Sequence, residues 1–356
     1  MNLQIIKISD LLWLKVLQKL PHDIYHLPQY VYLESLRIDA IPEAILITEG
    51  DKMFFVPYLV RCCNDIFKQL KARTFDIVSP YGYPGLLFNE AANIAPDFIK
   101  SAFEQFMHTL RNRNVCSAFL RLHPILNEGL NSVLSPKICK ITGQTVSIDL
   151  KQSKAEIWHQ TSPGHRNKIN RCERRGFTAK VVSFQDYLAD FVAIYEETMD
   201  RVKANKKYYF SDFYFSYLST KLAKQIHLAI VELDKQIACA GLFTECDGIV
   251  QYHLGGTKSE YLKEAPSKLM FDYIRYWAKD RGNFTLHLGG GLGGSKEDGL
   301  YRFKAAFSQQ RHTFMTLRLI TQEEQYLALT QLKAKQLNMQ ASQLFQSNFF
   351  PAYRFS

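Results

Sequence analysis

The chain has 356 residues, 47% of them hydrophobic and 13% aromatic, which is enough for a large core and typical of two domains. The seven cysteines form no C-x-x-C pair, which argues against a zinc site or a disulfide scaffold. The net charge of +10 is uneven, with +1 in residues 1–150 and +9 in residues 151–356. This field suggests an anionic partner such as RNA, a phosphorylated substrate or lipid headgroups, and a plain basic surface explains it equally well.

The two halves of the chain carry the same order of predicted elements. In each half, two strands joined by a turn are followed later by a helix with proline near its start, and then by another strand. These segments are 43–60 and 95–124 in the first half, and 226–245 and 265–291 in the second. The repeat indicates two α/β domains of one type, fused in tandem.

The regions between and after these repeats are predicted to be mainly helical. A helix at 153–161 is followed by a Ser-Pro-Gly break and by a basic helix at 165–175. The tail is Gln-rich and helical by pattern, and we expect its aromatic end, "NFFPAYRF", to dock onto the body. The predicted organisation is an N-terminal domain at 1–150, a C-terminal domain at 151–320 and a helical tail at 321–356.

A glycine-rich stretch, "FTLHLGGGLGGSKEDGLYRFKAAF", runs from Phe284 to Phe307. Its Gly289-x-Gly291-x-x-Gly294 pattern matches a dinucleotide-binding fingerprint, but the expected acid about 20 residues on is missing. The order Ser295-Lys296 also differs from a P-loop. The pattern therefore predicts a strand that ends in a backbone-exposing loop, followed by an aromatic and basic segment.

Several segments together resemble the Fem-type aminoacyltransferases. They are "SPYGYPGLLF", "GHRNKINRCERRGF", "IYEETMDRVKANKKYYF", "YHLGGT" and "LGGG…DGLYRFKAAF", which occur in the family's order. The resemblance covers roughly residues 5–320. It implies an α/β (α+β) fold of two tandem GNAT-like acyltransferase domains, with mixed β-sheets flanked by helices. It also implies transfer of an amino acid from aminoacyl-tRNA to a peptidoglycan precursor, with other acyl donors in related surface-polymer pathways.

The same resemblance implies a catalytic role for Lys304. The lysine of the family motif that it matches is thought to stabilise the oxyanion when an amine attacks an ester, and Gly289, Gly290 and Gly291 would border the cleft. A fixed ammonium in a water-poor cleft lowers the barrier of acyl transfer because negative charge develops on the carbonyl oxygen. Phe303, beside Lys304, is a further candidate for substrate contact. The alternative is a helix start with Phe303 and Phe307 buried and Lys304 solvated.

Four further residues match the family as substrate-binding candidates. Arg201 resembles an arginine that grips substrate phosphates, although it could equally complement a helix dipole. Tyr252 matches an aromatic residue of the substrate channel and could also be core. Tyr81 and Tyr83 lie in a loop that faces the cleft in the family, and its glycines explain it as a turn just as well. The family's acidic residue near the attacking amine has no clear match, which leaves the general base open.

The donor cannot be fixed from the sequence, but the loop before the second-half helix bears on it. "TKSEYLKEAPSK" lacks the glycines that hold the CoA pyrophosphate in ordinary GNAT acetyltransferases, and its Glu260 and Glu264 are expected to repel phosphate. We therefore expect no cofactor, disfavour acetyl-CoA, and predict aminoacyl-tRNA or another acyl donor. The predicted acceptor is an anionic cell-wall or polysaccharide precursor. The histidines lack metal-ligand spacing, so no metal site is expected.

Two alternatives to a Fem-like aminoacyltransferase stay open at this point. One is an N-acyltransferase that depends on acyl-CoA or an acyl carrier and acts on an amino sugar or amino acid. The other is a non-catalytic protein that binds RNA or a membrane surface. The chain lacks a signal-peptide core and any apolar run long enough to span a bilayer, so we expect a cytoplasmic protein, with peripheral contact at the inner membrane surface as a possibility.

Overall fold

The computed structural model describes residues 1–70 and 72–355, and the chain divides into two compact units. Unit 1 comprises Met1–Thr142 and Thr313–Ser356, and unit 2 comprises Gly143–His312. The helices are α1 (Leu11–Leu17), α2 (Pro28–Arg37), α3 (Glu90–Asn93), α4 (Pro96–Asn112), α5 (Lys154–Gln160), α6 (Pro163–Arg174), α7 (Leu188–Arg201), α8 (Asp212–Lys221), α9 (Pro266–Asp280), α10 (Gly299–Ala305), α11 (Glu323–Gln336) and α12 (Ala341–Gln346).

The strands are likewise numbered in chain order. They are β1 (Asn2–Lys7), β2 (Ile41–Glu49), β3 (Lys52–Cys62), β4 (Phe75–Val78), β5 (Leu87–Phe88), β6 (Val115–Arg121), β7 (Cys139–Asp149), β8 (Thr178–Val182), β9 (Ile226–Leu233), β10 (Gln236–Cys246), β11 (Ile249–Thr257), β12 (Thr285–Gly289) and β13 (Arg311–Ile320).

Unit 1 is built on a mixed sheet in which the strands run in the order β1-β2-β3-β4-β6-β13. All neighbouring pairs are antiparallel except β4 and β6, which are parallel and are connected through α4. Pro96 opens α4, where its missing N–H costs nothing. Phe98, Ala102, Phe106 and Leu110 recur at helical spacing and are buried in the core of the unit.

The C-terminal residues complete unit 1 around a buried carboxylate. The Tyr353 hydroxyl donates to Asp76 Oδ2 at 3.0 Å, and Arg61 Nε donates to Asp76 Oδ1 at 2.7 Å. Burying a charged group is tolerated when it is paired and hydrogen-bonded in this way. The aromatic end thus docks through Tyr353, whereas Phe349 on the same segment stays half-exposed.

Unit 2 repeats this plan with the strand order β8-β9-β10-β11-β12-β7. Again one pair is parallel, β11 with β12, and it is connected through α9. The most buried face of α9 includes Met270, Phe271, Ile274 and Ala278, while Tyr273 and Trp277 are only partly buried. The predicted fold class, two α/β units with mixed sheets flanked by helices, is therefore confirmed.

The unit boundaries lie near, but not at, the predicted positions. β7 follows the first repeat in sequence, and its residues from Gly143 onward belong to unit 2. β13 follows the second repeat, and its residues from Thr313 onward belong to unit 1, together with the tail. The strand after each repeat therefore completes the sheet of the other unit, which local patterns do not reveal. No helix of the described ranges is long and apolar enough to cross a bilayer.

Candidate active site

The candidate site lies in unit 2, at the carboxyl end of β12, where the glycine-rich stretch begins. Gly289 ends the strand with φ of 75°, a backbone conformation that favours glycine. A Cβ on Gly291 would collide with the Asp298 carboxylate and lie 2.8 Å from Tyr301 Cβ. The glycines at this point let the backbone pack closely against the start of α10.

Helix α10 positions Lys304, and Asp298 fixes where that helix starts. The Asp298 side chain accepts a hydrogen bond from the Tyr301 backbone N–H at 2.8 Å, the usual capping arrangement. The Tyr301 hydroxyl donates to Gln144 Oε1 at 2.9 Å. An aspartate directly before a helical run is a recognised start signal, so the sequence itself indicates this helix start.

Lys304 is buried, with 6% of its surface exposed. Its ammonium donates to the carbonyl oxygen of Gly290 at 2.7 Å and lies 5.5 Å from the centre of the Tyr252 ring. These two contacts use one proton and one face of the ammonium, which has three donors in all. The alternative prediction of a solvated lysine on a surface helix does not describe this environment.

Burial lowers the pKa of Lys304 to about 7 from an ordinary value of 10.5, and the negative charge of Asp298 offsets this in part. The cause is desolvation, since moving a charge away from water disfavours the protonated form. A lysine with this pKa exists in both forms near neutral pH. Strongly shifted ionisable groups of this kind are concentrated at functional sites.

Tyr252 on β11 contributes an aromatic wall to the Lys304 environment. Its ring lies 4.8 Å from Phe271 and 5.5 Å from Phe243, measured between ring centroids. Burial raises the pKa of its hydroxyl above the usual range, so the phenol stays neutral. The residue is therefore packed in the core as well as placed against the ammonium, and its predicted role in substrate binding stays a prediction.

Phe303 precedes Lys304 but packs into the core of unit 2. Its ring centroid lies 5.5 Å from those of Phe271 and Phe307, and its backbone carbonyl is 3.0 Å from His165 Nε2. Burial lowers the pKa of His165 to about 4, so the neutral ring donates this hydrogen bond. These contacts anchor α10 to α6, and substrate contact by Phe303 remains a prediction.

Arg201 ends α7 and is partly exposed. Its guanidinium donates to Ser259 Oγ at 3.1 Å and to Thr198 Oγ1 at 3.2 Å, and lies 3.8 Å from Glu197 Oε1. Hydroxyl partners leave much of the charge available for an anion, whereas Glu197 competes for it. The structure thus supports either proposed role, phosphate binding or a helix-terminal charge.

Tyr81 and Tyr83 belong to unit 1. The Tyr81 carbonyl accepts from the Tyr30 hydroxyl at 3.2 Å, and its ring faces the Arg37 guanidinium at 5.5 Å. The Tyr83 ring packs edge-on against Phe314 at 5.0 Å. Their proposed contact with substrate stays a prediction.

The loop before α9 differs from the expectation in one respect. Glu264 forms ion pairs with Arg171 and Arg175, so its charge is largely compensated. The helix start is nevertheless a poor cradle for pyrophosphate, because Pro266 has no N–H and the Lys268 N–H is bonded to the Ala265 carbonyl. For residues 1–70 and 72–355, no group of three or more His, Cys, Asp or Glu side chains could hold a metal ion.

A family model matches the part of the chain that contains the candidate site. Residues 163–305, which include α6 to α10 and Lys304, match the family model described as an acetyltransferase (GNAT) domain. A search of curated proteins found no match to the sequence.

Solved structures show the same fold over nearly the whole chain. The structure of FemX matches with a TM-score of 0.69 and 12% identity, covering 92% of this chain and 99% of FemX. L-PGS from Bacillus licheniformis matches with a TM-score of 0.53 and 15% identity, covering 88% and 93%. The C-terminal domain of a putative lysylphosphatidylglycerol synthetase from Agrobacterium fabrum gives 0.52 and 15%, covering 82% and 86%. The predicted Fem-like, GNAT-type acyltransferase fold is therefore confirmed.

Proposed function

We propose that this Fem-like chain is an acyltransferase that moves an aminoacyl group from aminoacyl-tRNA to an amine of an anionic cell-wall or surface-polysaccharide precursor. The observation that carries the proposal is the buried Lys304, whose ammonium sits 2.7 Å from the Gly290 carbonyl at the carboxyl end of β12. Few structural reasons exist for burying a lysine that has no carboxylate partner among residues 1–70 and 72–355, whereas a cation at such a place would assist acyl transfer.

The proposed chemistry assigns one task to the lysine. The acceptor amine attacks the ester carbonyl of the donor, a C–N bond forms, and the carbonyl oxygen gains negative charge. The C–O bond to the ribose then breaks, the amine gives up a proton, and the ribose oxygen receives one. The Lys304 ammonium, with donors beyond the one given to Gly290, would stabilise the oxyanion.

The choice of donor is supported by the start of α9. Ordinary GNAT enzymes bind the CoA pyrophosphate on free backbone amides at this point, but Pro266 and the Ala265-bonded Lys268 N–H leave few donors here. The names of the similar structures are consistent with this choice, because they include FemX and lysylphosphatidylglycerol synthetases. Arg201 is the candidate for contact with an anionic acceptor.

The family model supports a second candidate, because the matched description is an acetyltransferase domain. In that case the donor would be an acyl-CoA and the acceptor an amino sugar or amino acid, with Lys304 in the same role.

One experiment separates the two candidates. The purified protein is incubated with tRNA charged with a mixture of labelled amino acids, or with labelled acetyl-CoA, and with a uridine-diphosphate-linked muropeptide as acceptor. We expect label to move from tRNA to the muropeptide, and to stay on tRNA with Lys304→Met. Transfer from acetyl-CoA alone would establish the second candidate and overturn the proposed donor. Unchanged activity of Lys304→Met would rule out the proposed site.

A further inference from the structure

A groove in unit 1 contains none of the candidate active-site residues. It has a volume of about 330 Å³, within the range of small-molecule sites. It is formed by the end of β13, the first turns of α11, α12 and the segment that follows it. Its lining is Arg318, Ile320, Glu323, Tyr326, Leu327, Phe345, Asn348, Phe349, Phe350 and Ala352.

The apolar part of the lining is unusually open to solvent. Ile320, Leu327, Phe345 and Phe349 are 40–47% exposed. Tyr326 continues this surface, with ring centroids 5.7 Å from Phe350 and 6.4 Å from Phe345 in stacked arrangements. Large apolar side chains gathered on one rim mark binding surfaces, whereas isolated ones do not.

Two cations meet at one end of the groove. Arg318 donates to the Asn348 carbonyl at 2.9 Å, and Lys140 Nζ donates to Asn348 Oδ1 at 2.7 Å. Within residues 1–70 and 72–355, neither cation has a carboxylate within ion-pair distance. Arg318 Nε is buried and has no hydrogen-bond partner there, and burial lowers the pKa of the guanidinium. A half-buried cation without an acid calls for an anion.

We propose that this groove binds an anionic phospholipid at a membrane surface, with the phosphate at Arg318 and Lys140 and the acyl chain along Leu327, Phe345 and Phe349. The concave apolar wall and the cationic end match the two parts of such a lipid. RNA is disfavoured, because a polyanion needs a row of cations, whereas Arg318 and Lys140 form a single pair at one end of the groove. The inference does not depend on the proposed transfer reaction, because lipid binding is measured without it.

The test uses the full chain and co-sedimentation with two kinds of vesicle, pure phosphatidylcholine and phosphatidylcholine mixed with phosphatidylglycerol. We expect binding to the mixed vesicles only, weakened by salt. Lys140→Met should weaken it about fivefold, the effect of one cation near an anionic surface, and Arg318→Met at least as much. Leu327→Gln with Phe349→Gln should weaken it by about tenfold or more, because two partly exposed apolar side chains no longer enter the membrane.

The control variants lie in unit 1 outside the groove lining. Ile94→Gln changes a side chain that is 82% exposed, and Lys100→Met removes an exposed lysine of α4. Both should bind mixed vesicles like the unchanged protein. Since Arg318→Met could loosen the tail, Lys140→Met, at an exposed hydrogen bond, serves as the second charge variant.

The proposal fails if the unchanged protein binds neither vesicle, if binding ignores phosphatidylglycerol, or if the control variants lose as much as the groove variants. It also fails if Leu327→Gln with Phe349→Gln leaves vesicle binding intact. Retention of a short single-stranded RNA that is lost only in the groove variants, without vesicle binding, would assign the groove to RNA instead.

Discussion

The two units share one plan of strands and one connecting helix, but they treat polar groups after the parallel strand differently. In unit 1, His123 follows β6, is fully buried, and lies 3.1 Å from Asp23 Oδ2. Asn127 completes this corner, because its side chain accepts from the His123 N–H at 2.9 Å and donates to the Leu86 carbonyl at 2.6 Å. The polar side chains of this corner therefore have hydrogen-bond partners within unit 1.

In unit 2, Gly290 follows β12, and its carbonyl accepts a hydrogen bond from the buried Lys304 of α10. The ion pairs of the described residues do not include this lysine, and its contacts are one carbonyl and one aromatic ring. In a fold of two similar units, the unit with the less fully hydrogen-bonded buried polar group is the better candidate for the active site. Buried polar groups that are fully hydrogen-bonded stabilise a unit. A buried charge with unused hydrogen-bond donors instead suggests a site that binds a substrate.

The largest effect is expected from Lys304→Met. The transfer rate should fall about 10²–10³-fold, the usual loss for one oxyanion-stabilising group. The Michaelis constant should change less, because the charge matters most where the oxyanion forms. Steady-state kinetics on the true substrate pair give both values, and Lys296→Met, an exposed lysine of the same segment, is the control. If Lys304→Met and the unchanged protein turned over at the same rate, the proposed functional difference between the two units would be wrong.

The lowered pKa of Lys304 also predicts a pH dependence of stability. The native pKa is about 7 and the ordinary value is 10.5, so between these values the unfolded chain holds a proton that the native chain has lost. Unfolding then takes up a proton, and native stability should rise with pH in this window. Urea unfolding at about pH 7 and about pH 9 should show this rise, amounting to about 2 kcal/mol or more, in the unchanged protein. Lys304→Met should lack it, and parallel curves would contradict the depressed pKa.

Gly291→Ala tests the close packing of the backbone against the start of α10, the helix that carries Lys304. A Cβ would collide with the Asp298 carboxylate that caps α10, and overpacking of this kind costs about 1–3 kcal/mol of unfolding free energy. Activity should fall as well, because α10 positions Lys304. Gly299→Ala is the matched control, since a Cβ there meets nothing within 4 Å and alanine favours a helix start. Chemical denaturation and turnover of both variants decide whether close packing at Gly291 is needed.

Asp23→Asn tests whether the buried polar groups of unit 1 contribute to stability and not to turnover. Removing the charge that faces His123 should cost about 1–3 kcal/mol of unfolding free energy, the range for a disturbed buried hydrogen bond. The rate of transfer per folded molecule should stay close to that of the unchanged protein. A large loss of turnover at unchanged stability would give this corner a part in the chemistry and erase the distinction between the units.

The smallest effect is expected from Arg201→Met. Acceptor binding should weaken more than turnover, because an arginine at this position can pair with substrate phosphate and takes no part in bond formation. Melting temperature should change little, since exposed charge pairs contribute about 0–1 kcal/mol. Acceptor titration followed by turnover at saturation separates the two, with Lys203→Met as the neighbouring control. An unchanged Michaelis constant would favour the helix-terminal role.

Much of the fold was predictable because its signals are local. Pairs of strands joined by a turn, and prolines at helix starts, identify the repeated strands and the helices α4 and α9. The allocation of β7 and β13 was not predictable, because strand pairing across distant parts of the chain leaves no trace in either strand alone. For the same reason, the sequence does not show that the predicted helical tail at 321–356 belongs with unit 1.

The site was predictable only through its resemblance to a family. Composition and periodicity do not distinguish Lys304 from the solvated lysine of an amphipathic helix. Its burial depends on the Gly290 carbonyl, the capping of α10 by Asp298 and the Tyr252 ring. The first two belong to the glycine-rich stretch, and Tyr252 comes from β11, a separate segment. The shifted pKa follows from that assembly and from no single motif.

Because β7 belongs mainly to unit 2 and β13 mainly to unit 1, the two units are expected to fold in a fixed order during synthesis on the ribosome. Unit 2 is one continuous segment, 143–312, and can close as soon as it has emerged. Unit 1 must wait, because β6 has β4 on one side and receives β13 on the other only after residue 320 has been made. Until then the edge of β6 is an unpaired strand that invites wrong pairing. A nascent chain therefore holds a complete unit 2 while unit 1, most of which is made earlier, still lacks β13.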